Sequence, residues 1–193
     1  MLYNPRAFKA GNAQAMALVE QYPFATLISW DKDCQISHLP MYLSEDKAEL
    51  VGHFAGANPQ KNTAVSHRHV AVFQGPDAYI SAGWYEAPNQ VPTWNYQVVH
   101  FAGPLRLIQD RTEKHRIVDR LSEIHEAPFD PAWTTRKMAQ SKLDQMLDHI
   151  AGFALKSTQL TRNLRSLKTR PLSIQTSSKD SHPDPITRRW WMP

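Results

Sequence analysis

Between residues 24 and 107, apolar and β-branched runs recur with little more than turns between them. The pattern predicts strands over residues 24–30, 35–42, 49–54, 69–73, 78–81 and 96–107. Asp31-Lys32-Asp33 and Ser44-Glu45-Asp46-Lys47 supply turns, and Pro40 adds an irregularity to the second strand. Ala57-Asn58-Pro59-Gln60 breaks the chain, with Asn58 capping a short helix and Pro59 in its first turn. Strands so closely spaced predict a barrel or sandwich and argue against a doubly wound α/β fold. No strand leads into a glycine-rich phosphate loop of the dinucleotide or mononucleotide kind.

Helical periodicity frames this region. Ala13, Met16, Ala17, Leu18 and Val19 predict a short helix over 12–22, ended before Pro23. Asp110 caps a second helix running to Glu126, with Ile117, Val118, Leu121 and Ile124 on one face. Residues 127–131 form a loop, and residues 134–149 a third helix with Met138, Leu143, Met146 and Leu147 on its apolar side. A last strand spans 153–160. Periodicity fades after Leu172, so the expectation is one domain over 1–171 and a tail over 172–193, flexible or docked on a dimer mate, with Arg188-Arg189-Trp190-Trp191 near its end. The predicted class is mainly β with packing helices.

The 193 residues suffice for a core without disulfides. The one cysteine, Cys34, lies in a turn and fits a reducing cytoplasm. No apolar run approaches the ~20 residues of a membrane helix, and no secretory layout opens the chain. A net charge of +4 is short of a dedicated nucleic-acid binder, and no helix-turn-helix pattern is seen, so direct DNA binding has no sequence support. Lys156, Arg162, Arg165, Lys168 and Arg170 form an acid-free basic run, read either as an anion site or as a solvated face.

Chemistry concentrates in residues 72–100. Trp84, Tyr85, Trp94 and Tyr96 supply aromatic walls, while Gln74, Ser81, Thr93 and Asn95 supply hydrogen bonds. Such a set suits a flat heterocycle better than a metal. The alternative is that Trp94 and Tyr96 are core or interface residues and that Thr93 and Asn95 shape a turn. His38, His53, His67, His69 and His100 have no spacing that demands a metal or haem. No nucleophile–base pair or carboxylate dyad stands out.

The ordered segments resemble the PaiB-like family of FMN-binding negative transcriptional regulators. The matching pieces are Tyr3-Asn4-Pro5 with Phe8, Pro23-Phe24-Ala25-Thr26-Leu27, His38-Leu39-Pro40, and Gly52-His53 with Ala57-Asn58-Pro59-Gln60. They continue with Phe73-Gln74-Gly75-Pro76, Tyr79-Ile80-Ser81, Trp84-Tyr85, and Val91-Pro92-Thr93-Trp94-Asn95-Tyr96 with His100. The resemblance implies the FMN-binding split β-barrel shared with pyridoxamine-phosphate oxidases. It also implies a homodimer with FMN in a groove between subunits. It points to His53, Asn58, Gln74, Tyr79, Ser81, Trp84, Tyr85, Thr93, Trp94, Asn95 and Tyr96 for the flavin.

Two departures concern the phosphate. The family block Ala-Arg-Ala-Asn-Pro reads Ala55-Gly56-Ala57-Asn58-Pro59 here, so its basic residue is missing. The block Lys-Leu-Ser-Gln-Asn-Arg-Pro reads Arg165-Ser166-Leu167-Lys168-Thr169-Arg170-Pro171, without Ser-Gln-Asn. Two outcomes stay open. Arg165, Lys168 or Arg170 compensates, or the chain is a cofactor-free interaction module. A flavin-dependent oxidoreductase acting on a small molecule is the remaining alternative.

Overall fold

The computed structural model describes residues 11–63, 68–85 and 88–165, with backbone alone for 159 and 162–165. The N-terminal block of the resemblance, His67, Lys168, Arg170 and the tail lie outside the described residues.

Nine strands form two antiparallel sheets. They are β1 (Phe24–Trp30), β2 (Cys34–Pro40), β3 (Tyr42–Leu43), β4 (Glu49–Ala55), β5 (His69–Ile80), β6 (Thr93–Gly103), β7 (Leu105–Ile108), β8 (Ile150–Lys156) and β9 (Gln159–Arg165). The five-stranded sheet runs β2-β1-β5-β6-β9, and the four-stranded sheet runs β3-β4-β8-β7. Four connections carry the chain between sheets: Met41, residues 56–68, Pro104, and Ser157-Thr158. This is the strand-rich architecture that the spacing and the resemblance lead one to expect.

The inner faces share one core. Leu27, Phe73, Val99 and Phe101 of the first sheet meet Leu50, Phe54, Phe153 and Leu155 of the second. Helix α1 (Asn12–Gln21) closes this core with Ala15, Leu18 and Val19. Helix α2 (Arg111–Glu126) covers the outside of the second sheet, where Ile117 and Leu121 pack on Val51, Ile108 and Ala154. Asp110 caps α2, its carboxylate accepting from the Glu113 N–H at 2.9 Å. No helix among the described residues is long and apolar enough to cross a membrane.

Five expectations are corrected. The strand expected over 35–42 is divided at Met41, where the chain leaves the first sheet after β2 and enters the second at β3. Residues 69–73 and 78–81 belong to one strand, because Gly75-Pro76 forms a bulge between Gln74 and Asp77 instead of ending β5. The bulge is tightly packed, since a Cβ on Gly75 would lie 3.0 Å from Leu18 Cδ1 and 3.2 Å from Gln97 Cβ. The strand expected over 96–107 is divided at Pro104, which has no N–H for a ladder. The strand expected over 153–160 is likewise two, β8 and β9. At this corner a Cβ on Gly103 would collide with the Lys156 carbonyl, so only glycine lets the strands cross so closely.

The helix expected over 134–149 is a 3-10 turn, Thr135–Lys137, followed by α3 (Gln140–Asp148). Extended backbone at Met138 and Ala139 separates them. The hydroxyl of buried Thr135 donates to Asp119 of α2, which pins the turn in place. Leu143 and Leu147 face the core, whereas Met146 is exposed.

Candidate functional site

The β5–β6 hairpin carries the aromatic turn. Antiparallel pairing sets Tyr79 opposite Trp94 and Asp77 opposite Tyr96, so these four share the outer face of the five-stranded sheet. Tyr79 and Trp94 meet edge to face, with ring centroids 5.7 Å apart, and stand 48% and 54% exposed. Two large aromatics left this open offer a wall that the described residues do not cover. Gln74 is exposed on the same face.

Beyond β5 the chain makes a 3-10 turn, Ala82–Trp84, and Ser81 Oγ accepts from the Gly83 N–H at 3.2 Å. Ser81 thus acts as a cap here. Trp84 is exposed and Tyr85 half-buried beside that turn. Thr93 opens β6 opposite Ile80. Asn95 departs from its neighbours: it pairs with Ala78 on the inner face, is 3% exposed, and its Nδ2 is buried with no hydrogen-bond partner among the described residues. Tyr96 is half-buried, and the register sets Arg165 of β9 opposite it.

The second group lies in the loop after β4. Asn58 is the expected cap, its Oδ1 accepting from the Gln60 N–H at 2.9 Å. Its Nδ2 donates to Ser37 Oγ at 2.9 Å, tying the loop to β2. The buried Gln60 amide donates to the Leu27 carbonyl at 3.0 Å and to Ser29 Oγ at 2.8 Å. Ser29 Oγ in turn lies 2.7 Å from Nδ1 of buried His69. This network fixes the loop against β1. His53 of β4 has a buried Nδ1 without a hydrogen-bond partner among the described residues, and burial pushes its pKa below the ordinary histidine value.

Gly56 is held by its own backbone. Its N–H donates to the His149 carbonyl at 2.6 Å, at the end of α3. A Cβ at 56 would lie 2.9 Å from that oxygen, so the fold leaves no room for a side chain there. Lys61, in the 3-10 turn Pro59–Thr63, reaches back and donates its ammonium to the Gly56 carbonyl. Among the described residues, Lys61 has no carboxylate within ion-pair distance.

The two groups do not meet within the chain. Gln60 fixes the loop beside Leu27, which pairs with Ala71, whereas Tyr79 stands eight residues further along β5. At ~3.3 Å per residue that is roughly 25 Å along the strand. The aromatic turn and the loop therefore occupy opposite ends of one sheet.

That sheet's outer face is apolar. It presents Phe24, Ile28, Trp30, Ile36, Val70, Val72, Val98 and Ala102 around His38, Thr26 and His100. Phe24 is 67% exposed, Ile36 58% and Trp30 46%. Burial also pushes the pKa of His100 below its ordinary value. The helices pack elsewhere, α1 on the core and α2 and α3 on the second sheet. Among the described residues, no group of three His, Cys, Asp or Glu side chains is placed to hold a metal ion.

Sequence reasoning located both groups of residues but not their separation, which follows from how β1 and β5 pair. It also missed Lys61 and Ser37. No pattern in the sequence marks either one, although Lys61 directly follows the Asn58-Pro59-Gln60 block.

Residues 2–159 match the family model described as "Putative FMN-binding domain". A curated relative, the protease synthase and sporulation protein PAI 2 of Bacillus subtilis, is 36% identical over 163 residues, covering 80% of this chain and 76% of the relative. Among solved structures, the conserved hypothetical protein Rv2991 of Mycobacterium tuberculosis superposes with a TM-score of 0.64 at 11% identity, covering 92% of this chain and all of the other. The FAD and haem binding protein of Mycobacterium smegmatis gives 0.60 at 13% identity, covering 93% of this chain and 95% of the other. At such identities these two likenesses speak for the fold alone.

Proposed function

This chain belongs to that FMN-binding family, and on that premise we propose that it is a homodimeric flavin-binding protein that takes FMN at sites shared by its two subunits. The observation that carries the reading is the split site: an open aromatic wall at one end of the five-stranded sheet and a polar loop at the other. The face between them is apolar, and none of the described helices packs on it. A second copy packed on that face about a two-fold axis sets the aromatic turn of one subunit beside the loop of its mate. It also buries apolar surface worth roughly 25 cal/mol per Å².

The donor chemistry supports a flavin. Tyr79, Trp94, Trp84 and Tyr85 offer apolar walls for the ring, and Gln74 an amide at its edge. The buried His53 Nδ1 and Asn95 Nδ2 have no hydrogen-bond partner among the described residues and stand as candidate contacts for a polar ligand or an ordered water. The role we assign is regulatory, of the PaiB-like type, in line with the similarity to the Bacillus sporulation protein.

The test pairs molar mass with flavin titration. Light scattering is expected to give a dimer, and FMN to bind with quenched fluorescence at one equivalent per chain. Ile36→Lys, which puts a charge on the apolar face, is expected to yield monomers with much weaker FMN binding. A monomeric wild type, or a dimer that takes up no FMN, refutes the reading; the second result would leave a cofactor-free interaction module.

A further inference from the structure

We propose that Lys61 is the cation that receives the anionic end of the ligand in this chain, a role that rests on the flavin reading above. The argument starts from an uncompensated charge. The Lys61 ammonium is partly withdrawn from solvent in the 3-10 turn and is held against the Gly56 carbonyl. One carbonyl satisfies one of its three donors and leaves its charge unneutralised. No described carboxylate completes an ion pair with it. Such an ammonium is a ready partner for an anion, because a charge-assisted hydrogen bond is about twice as strong as a neutral one.

Its position is fixed rather than incidental. Asn58 caps the turn and bonds Ser37, and Gln60 anchors it to Leu27 and Ser29. Lys61 is the next residue along, so its stem departs from a backbone anchored immediately before it. Position 56 is closed to any competing cation, since the His149 carbonyl occupies the space a Cβ needs. The loop thus carries its charge five residues later than its sequence block leads one to expect, and returns it to Gly56 through space.

An anion on Lys61 is recognised by charge, and in a flavin mononucleotide the charge resides on the phosphate. Riboflavin shares the ring and lacks that group, which separates the two readings. The experiment measures FMN and riboflavin affinity by fluorescence quenching for wild type, Lys61→Met and Lys61→Gln. The glutamine variant keeps a neutral donor for the Gly56 carbonyl and carries the measurement if the methionine variant fails to fold.

Wild type is expected to prefer FMN over riboflavin about tenfold or more, and added inorganic phosphate to compete with FMN alone. In the variants FMN affinity is expected to fall about tenfold or more, with riboflavin affinity unchanged within about twofold. If the variants keep the FMN preference, or wild type shows none, the role of Lys61 is overturned while the flavin site stands. If wild type binds neither flavin, the flavin reading falls and takes this inference with it.

Discussion

Replacing Gly56 tests directly whether the loop after β4 is closed by its own packing. A Cβ at this position would lie 2.9 Å from the His149 oxygen and 3.0 Å from its carbonyl carbon. Both atoms are backbone at the junction of α3 and β8, so neither can swing aside as a side-chain tip would. Relieving the contact must lengthen the 2.6 Å hydrogen bond from the Gly56 N–H to that carbonyl. Overpacking costs about 1–3 kcal/mol, and a weakened backbone bond about 1 kcal/mol more. Gly56→Ala is therefore expected to lower the unfolding free energy by about 2–4 kcal/mol in urea titration. Gly83→Ala is the control, because a Cβ there meets only Ser81 Oγ at an ordinary 3.7 Å. Its expected change is within about 0.5 kcal/mol. Gly56→Arg, which supplies the basic residue that the family resemblance leads one to expect, is expected to destabilise at least as much as alanine and to give no gain in FMN affinity. A Gly56→Ala protein as stable as wild type would refute the packing argument. An arginine variant that folds normally and binds FMN more tightly would refute the idea that the charge has moved to Lys61.

Two further expectations follow from buried polar groups. Lys114 of α2 is 6% exposed and donates to the Leu147 carbonyl at 2.5 Å and to the Ile150 carbonyl at 3.4 Å, where α3 passes into β8. Lys114→Met leaves those carbonyls without a charged donor and is expected to cost about 1–3 kcal/mol, with faster amide exchange in α3; full stability would show the ammonium to be dispensable. His53 has a folded-state pKa below the ordinary 6.5 because burial disfavours its charged form. Its contribution to stability is then complete above pH 6.5 and is lost as pH falls through the folded value. Urea midpoints are expected to drop between pH 7.5 and 5.5, and His53→Gln to shallow that drop; an unaltered slope in the variant would acquit His53.

Much of the fold was legible because its signals are local. The runs 24–30 and 49–54 alternate or peak in apolar residues, and Asp110 announces α2 with its cap. The failures came where geometry overrides local signal. Gly75-Pro76 reads as a stop, yet it is a bulge, because Leu18 and Gln97 pack against a position with no Cβ. Pro104 and Ser157-Thr158 interrupt what read as single strands, since each passes the chain from one sheet to the other. The apparent helix over 134–149 divides because Thr135 is tied to Asp119, a contact sixteen residues away in sequence. Long-range partners of that kind leave no periodicity to read.

The candidate site shows the same limit in a sharper form. Trp94-Asn95-Tyr96 is continuous in sequence and looks like one recognition element. In the strand its members alternate, so Asn95 turns inward while Trp94 and Tyr96 face out. Likewise, Ala55-Gly56-Ala57-Asn58 and the aromatic turn look like two contributions to one pocket, yet the pairing of β1 with β5 holds them at opposite ends of a sheet. On the proposed reading, a ligand that needs both takes one group from each of two chains. The outer face that would receive the second chain is where Phe24, Ile36 and Trp30 remain exposed, residues that a monomer gains nothing by placing in water. The proposed dimer and the proposed flavin site are thus one coupled question: if both hold, a substitution that abolishes the dimer should abolish the site, even if every residue meant to touch the flavin is left in place.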